Sequence, residues 1–113
     1  MSAGAQLSVP EMRRAARHPV DHTVIGEHRS AGDVRLRIVN LSDHGFMAQG
    51  EIPALSRGER VSIRLPVIGR IEAHLIWATD DRAGFQFERI LRPRDFAQMI
   101  DMMQPNPRLR AVR

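Results

Sequence analysis

The chain has 113 residues, no cysteine and a net charge of +4. This length accommodates one domain with a self-sufficient core, and the lack of cysteine excludes disulfides and thiolate metal sites. All 17 basic residues are arginine, a side chain suited to planar, bidentate contacts with phosphate or guanine. Met1–Pro10 lacks the apolar stretch of a signal peptide, and no apolar run is long enough to span a membrane. We therefore expect a cytoplasmic protein.

The chain begins with a small, polar segment, Met1–Met12, which we expect to be a flexible tail. The basic segment 13–19 follows, and Pro19 favours an extended backbone at His18. Short strands then recur at a spacing typical of an antiparallel barrel or sandwich. In the strand at 34–39, the residues predicted to point inward are Val34, Leu36 and Ile38, and those predicted to point outward are Arg35, Arg37 and Val39.

Further strands follow the same alternation, with turns at Leu41–Gly45 and Asp80–Arg82. Their apolar positions are Phe46 in one strand, Val61, Ile63 and Leu65 in the next, then Ile71, Ala73, Leu75 and Trp77, and finally Phe85 and Phe87. Near the end, Phe96, Met99, Ile100 and Met103 have the spacing of one helix face. The sequence predicts an all-β domain over 13–104, a closing helix at about 93–103 that packs on the barrel, and a disordered tail at 105–113.

No catalytic or metal-binding constellation is apparent in the sequence. The five histidines, which we expect at the surface, lack metal-ligand spacing on a shared helix face; they are His18, His22, His28, His44 and His74. The chain also lacks a nucleophile elbow, a P-loop and a dinucleotide-binding glycine fingerprint. We therefore predict a protein that is not an enzyme and has no metal site.

Two short motifs remain. The first is Arg13-Arg14-Ala15-Ala16-Arg17, which contains arginines four residues apart, as Arg60 and Arg64 also are. The second is Asn40-Leu41-Ser42-Asp43-His44-Gly45, an Asn-x-Ser-x-x-Gly pattern whose residue types are also those of ordinary turns.

Taken in order, these motifs resemble those of the PilZ family. The resemblance rests on a basic Arg-x-x-x-Arg loop, a short strand, the Asn-x-Ser-x-x-Gly turn, a Gly84-Phe85-Gln86-Phe87 strand and a closing helix. It covers Glu11 to about Met103. It implies a six-stranded antiparallel β-barrel that binds cyclic di-GMP, a bacterial second messenger, as a ligand and not as a cofactor.

The resemblance also implies a set of ligand-binding residues. Arg13 and Arg17 would contact guanine and phosphate, and Arg14 would add positive charge beside them. Asn40 and Ser42 would hydrogen-bond a guanine. Gly45 would let the backbone turn close to the ligand through a conformation closed to other residues. Trp77 departs from the family pattern, which often has a charged residue there.

Guanine offers two coplanar acceptors, O6 and N7, that a guanidinium group matches. In the expected mechanism the arginine loop wraps over the ligand and thereby moves the N-terminal tail and a downstream protein partner.

One alternative is a PilZ-like adaptor that contacts only proteins. Another is an arginine-rich barrel that binds RNA or DNA, which the low aromatic content of 4% disfavours. One bound ligand and a stacked pair are both compatible with the motifs.

Overall fold

The computed structural model describes residues 17–52 and 54–103. Its elements are β1 (His18–His28), β2 (Gly32–Leu41), β3 (Gly45–Gln49), β4 (Arg60–Leu65), β5 (Gly69–Ala78), β6 (Arg82–Phe87) and α1 (Pro93–Met102). All paired strands are antiparallel, and they close into a barrel in the order β1-β2-β3-β6-β5-β4. The predicted six-stranded barrel with a C-terminal helix is confirmed. The two predicted tails, Arg13 and Arg14 lie outside the described residues.

The barrel interior is filled by the apolar members of the alternating strands. In β4, for example, Val61, Ile63 and Leu65 are buried while Arg60 and Arg64 are exposed. β-branched side chains on one face of a pleated strand favour this arrangement, because they pack well against the neighbouring strands. The polar face that remains points outward and carries exposed arginines such as Arg35, Arg60 and Arg64.

Three irregularities interrupt the strand pairing, and two of them alter which side chains point inward. They lie between Pro19 and His22 in β1, between Ile38 and Asn40 in β2, and between Leu75 and Trp77 in β5. Those in β2 and β5 shift the alternation of their strands, as β-bulges do. The predicted outward position of Val39 is therefore wrong, since Val39 is buried. The inward position predicted for Trp77 is also wrong, because 42% of this residue is exposed.

Helix α1 packs on the barrel through the predicted apolar face. Met99 and Met103 are buried, and Phe96 and Ile100 are partly buried against the core. The helix begins at Pro93, where a first helical turn tolerates proline because its missing N–H has no intrahelical partner. The predicted closing helix is thus confirmed.

The turn between β4 and β5 contains a strained residue. Val67 has a φ of 69°, and the N–H of Ile68 donates to the carbonyl of Pro66 at 2.7 Å across it. This is a γ-turn with a positive central φ, a conformation that is rare and unfavourable for a β-branched side chain. The side chain at this strained position is about half exposed.

Candidate functional site

The Asn-x-Ser-x-x-Gly motif forms the connection between β2 and β3. The N–H of Ser42 donates to the carbonyl of Gly45 at 2.9 Å, and the Ser42 hydroxyl accepts the N–H groups of His44 (3.1 Å) and Gly45 (3.3 Å). Ser42 is also one of the few buried polar residues. A hydroxyl has two acceptor positions and one donor hydrogen. The turn uses both acceptor positions, so the group that Ser42 can still offer a ligand is its hydroxyl hydrogen.

Gly45 is required for a reason other than the one expected from the sequence. Among the described glycines, those with positive φ are Gly32, Gly50, Gly58 and Gly69, and Gly45 is not one of them. The expectation that Gly45 adopts a conformation closed to other residues is therefore wrong. A Cβ at this position would collide with the carbonyl oxygen of Phe85 on β6. Glycine is needed here because two strand backbones approach closely.

Four of the six predicted site residues line one cavity of about 420 Å³ on the outside of the barrel: Arg17, Asn40, Ser42 and Gly45. They come from the residue preceding β1, from the end of β2, and from the turn into β3. The other lining residues are Phe46, Met47, Ile76, Trp77, Gly84 and Phe85. A lining that combines polar and apolar groups gives a surface suited to an amphipathic ligand.

Trp77 forms the aromatic side of this cavity. It pairs with Gly84 across β5 and β6, and a Cβ on Gly84 would collide with the indole ring. The indole therefore lies against the glycine backbone while its other surface remains accessible. Sequence alternation did not place Trp77 in the site, because the bulge after Leu75 turns it outward. The available signal in the sequence was the departure of Trp77 from the residue type usual at this position in the family that the motifs resemble.

The charge of Arg17 is available to a ligand within the described structure. None of the five ion pairs between described residues involves Arg17. A larger cleft of about 690 Å³ lies elsewhere and is lined mainly by charged residues. Two of its three arginines are paired with carboxylates, Arg60 with Glu72 and Arg70 with Glu27, each at 3.4 Å. Compensated charges of this kind make that cleft a weaker candidate for an anionic ligand.

His28 borders the larger cleft and is only 8% exposed, so its predicted surface position is wrong. Its Nδ1 accepts the N–H groups of Ser30 (3.2 Å) and Ala31 (2.9 Å), and its Nε2 lies 3.4 Å from a Glu59 oxygen. A hydrogen bond from the Ser56 N–H also lowers the pKa of Glu59. His28 thus stabilises the turn between β1 and β2.

Two negative findings apply to the described part of the chain. No group of three or more His, Asp or Glu residues there is placed to hold a metal ion. No helix between residues 17 and 103 is long and apolar enough to cross a membrane.

A family model described as the PilZ domain matches residues 11–104. The chain belongs to the PilZ domain family. The match covers most of the chain, including the segment with Arg13 and Arg14. No curated protein matches the chain at a significant level.

Solved structures of PilZ proteins share the fold. Escherichia coli YcgR in complex with c-di-GMP has a TM-score of 0.57 and 21% identity, over 80% of this chain and 43% of that one. The PilZ domain of the same protein with c-di-GMP has a TM-score of 0.55 and 20% identity, over 77% and 85%. The MrkH–c-di-GMP complex of K. pneumonia has a TM-score of 0.55 and 17% identity, over 79% and 49%. This PilZ chain thus spans less than half the length of the longer YcgR and MrkH chains.

Proposed function

We propose that this PilZ domain is a non-catalytic receptor for cyclic di-GMP and that the ligand binds in the 420 Å³ cavity. The observation that carries the proposal is the convergence on that cavity of Arg17, two polar groups of the Asn-x-Ser-x-x-Gly turn and an exposed indole. Family membership supports it, as do the solved complexes of YcgR and MrkH with c-di-GMP. The output is a binding event that a downstream protein detects in the bacterial cytoplasm.

Each group at the cavity matches a part of the ligand. The Arg17 guanidinium can donate two parallel hydrogen bonds to O6 and N7 of guanine. Asn40 can both donate to and accept from a base edge, and Ser42 can donate its hydroxyl hydrogen. The indole of Trp77 offers a flat apolar surface on which a purine can stack. In this arrangement, one part of the ligand contacts the arginine and the polar turn, and another part stacks on the indole.

The remaining proposed contacts come from the family pattern. Arg13 and Arg14 precede Arg17 in the basic segment and lie outside the described residues. We assign Arg13 to guanine and phosphate, and Arg14 to additional positive charge near the two phosphates. Three arginines within five positions provide the charge that a dianionic ligand requires.

The substitution Arg17→Lys tests whether the site is specific. Lysine keeps the charge but loses the planar fork, so affinity for cyclic di-GMP should fall by about 1–3 kcal/mol, the usual contribution of a bidentate arginine–guanine pair. The matched control is Arg64→Lys on β4, an exposed arginine outside the cavity. It should change affinity less than twofold. Calorimetric titration measures both, and circular dichroism checks that each variant is folded.

The results also distinguish the alternatives. A barrel that binds nucleic acid through general charge would tolerate lysine at either position, and the two substitutions would have similar small effects. Equal losses at Arg17 and Arg64 in folded protein would contradict a specific site. An adaptor that contacts only proteins would give no heat with cyclic di-GMP in any variant.

A further inference from the structure

The turn that carries the Asn-x-Ser-x-x-Gly motif is hydrogen-bonded to the end of β6 and to the segment that leads into α1. The N–H of Phe87 donates to the carbonyl of His44 at 2.8 Å, and the N–H of Leu91 donates to the carbonyl of Asp43 at 2.9 Å. Leu91 is buried in the core two residues before α1 begins at Pro93. These hydrogen bonds therefore connect the motif turn directly to the segment that begins the helix.

A second contact joins the helix to the chain segment that carries Arg17. His18 directly follows Arg17, and its ring meets the ring of Phe96 edge-on, with centroids 5.2 Å apart at an interplanar angle of 63°. Edge-on packing of this kind is favourable beyond simple burial for aromatic pairs. Phe96 lies in the first half of α1 and does not line the cavity. The helix and the segment that leads into it thus contact both chain segments that supply the polar groups of the site.

Helix α1 depends on these tertiary contacts because its local stabilisation is weak. It has 10 residues, and its N-cap residue Arg92 makes no side-chain capping hydrogen bond. No basic residue lies in its last turn, although Asp95 is favourably placed in the first. Isolated helices shorter than about 12 residues are marginal in water. Its stability therefore depends on its packing against the barrel, and elements of low local stability are often the parts that move in regulation.

We propose that docking of α1 on the barrel is thermodynamically coupled to occupancy of the cavity, so that ligand binding holds the helix in its docked position. The inference rests on the proposed function, since it takes cyclic di-GMP as the ligand. Fixing Arg17 on the ligand fixes His18, and His18 in turn holds Phe96. Coupling between two equilibria is reciprocal. Docking must therefore raise ligand affinity by the same factor by which the ligand strengthens docking, and weakening the contact between His18 and Phe96 lowers affinity by up to that factor.

The test compares two variants with a control on the same helix. Phe96→Leu keeps an apolar side chain but removes the aromatic edge, and His18→Ala removes the contact from the other side. Met102→Ala changes an exposed residue that is outside the core. Calorimetry with cyclic di-GMP should show affinity at least about fivefold lower for the first two variants, the lower end of typical coupling. The control should bind within twofold of wild type.

Hydrogen exchange of the α1 amides gives a readout that a merely structural role would not change. Exchange through local opening of the helix should slow on saturation with cyclic di-GMP, whereas a helix that opens regardless of occupancy exchanges at the same rate. The coupling is overturned if folded Phe96→Leu or His18→Ala protein binds cyclic di-GMP within twofold of wild type. It is also overturned if hydrogen exchange of the α1 amides does not change on saturation. A wild-type protein that does not bind cyclic di-GMP overturns the proposed function itself, so the two failures are distinguishable.

Discussion

The substitution Gly45→Ala separates a steric requirement from a ligand-binding role. A Cβ at Gly45 would collide with the carbonyl oxygen of Phe85 and would lie 3.0 Å from the Cα of Gln86. Both obstacles are backbone atoms of β6, which is held by pairing with β3 and β5. Overpacking typically costs about 1–3 kcal/mol, and immobile obstacles place the expected cost near the upper end. With about 4–8 °C lost per kcal/mol in a domain of this size, the melting temperature should fall by roughly 10 °C or more.

Thermal unfolding followed by circular dichroism, without ligand, measures this cost. The control is Gly26→Ala in β1, also a strand glycine without a positive φ. Its added Cβ would meet methyl groups of Ile63 and Val34 at 3.3 Å, and side-chain atoms of this kind can shift by a few tenths of an ångström. Gly26→Ala should therefore change stability by less than about 1 kcal/mol. Equal melting temperatures for the two variants would refute the steric explanation of Gly45.

Three further predictions concern stability. Met99→Ala removes a fully buried side chain and should cost about 2–5 kcal/mol in urea unfolding, whereas Met102→Ala, which is exposed, should cost little. Val67→Gly should raise the melting temperature, because relief of about 1–3 kcal/mol of strain exceeds the roughly 1 kcal/mol entropic cost of glycine; a lower value would contradict the strain assignment. Hydrogen bonds from Arg37 lower the pKa of Asp21, so Asp21→Asn should destabilise the protein at neutral pH by less than about 1 kcal/mol.

The sign of the Asp21 effect follows from linkage. Folding favours the charged carboxylate, so its contribution is present above the pKa of the unfolded state and is lost as the pH falls through the lowered folded-state pKa. The difference in unfolding free energy between wild type and Asp21→Asn should thus shrink towards zero in strongly acidic solution. A difference that stays constant with pH would show that the substitution acts through something other than the carboxylate charge.

Local patterns in the sequence were sufficient to predict most of the fold. Alternation identified β2, β4, β5 and β6, and the spacing of Phe96, Met99, Ile100 and Met103 identified α1. It did not delineate β1, whose pairing is shifted between Pro19 and His22 and whose burial pattern is irregular there. Bulges also reversed the predicted sides of Val39 and Trp77. The position of a bulge depends on the partner strand, which a local period-two pattern does not contain.

The candidate site was predictable to a similar extent. The motifs identified Arg17, Asn40, Ser42 and Gly45, which lie 28 positions apart at the extremes and line one cavity. The reason for glycine at position 45 was not predictable, because it depends on the approach of β6 from 40 residues further along the chain. Trp77 was missed for the same physical reason, since its place in the cavity follows from a bulge and from its contact with a glycine on β6.

Calorimetric titration of the wild-type protein with cyclic di-GMP, with GMP and GTP as comparison ligands, is the most direct test of the receptor proposal. Two guanines and two phosphates on one ligand can engage the arginine segment, the Ser42 turn and the indole of Trp77 together. We expect saturable binding of cyclic di-GMP, accompanied by a change in the fluorescence of Trp77, the only tryptophan in the chain. GMP and GTP should bind much more weakly. No heat and no fluorescence change at millimolar cyclic di-GMP would contradict the assignment of this cavity as its binding site.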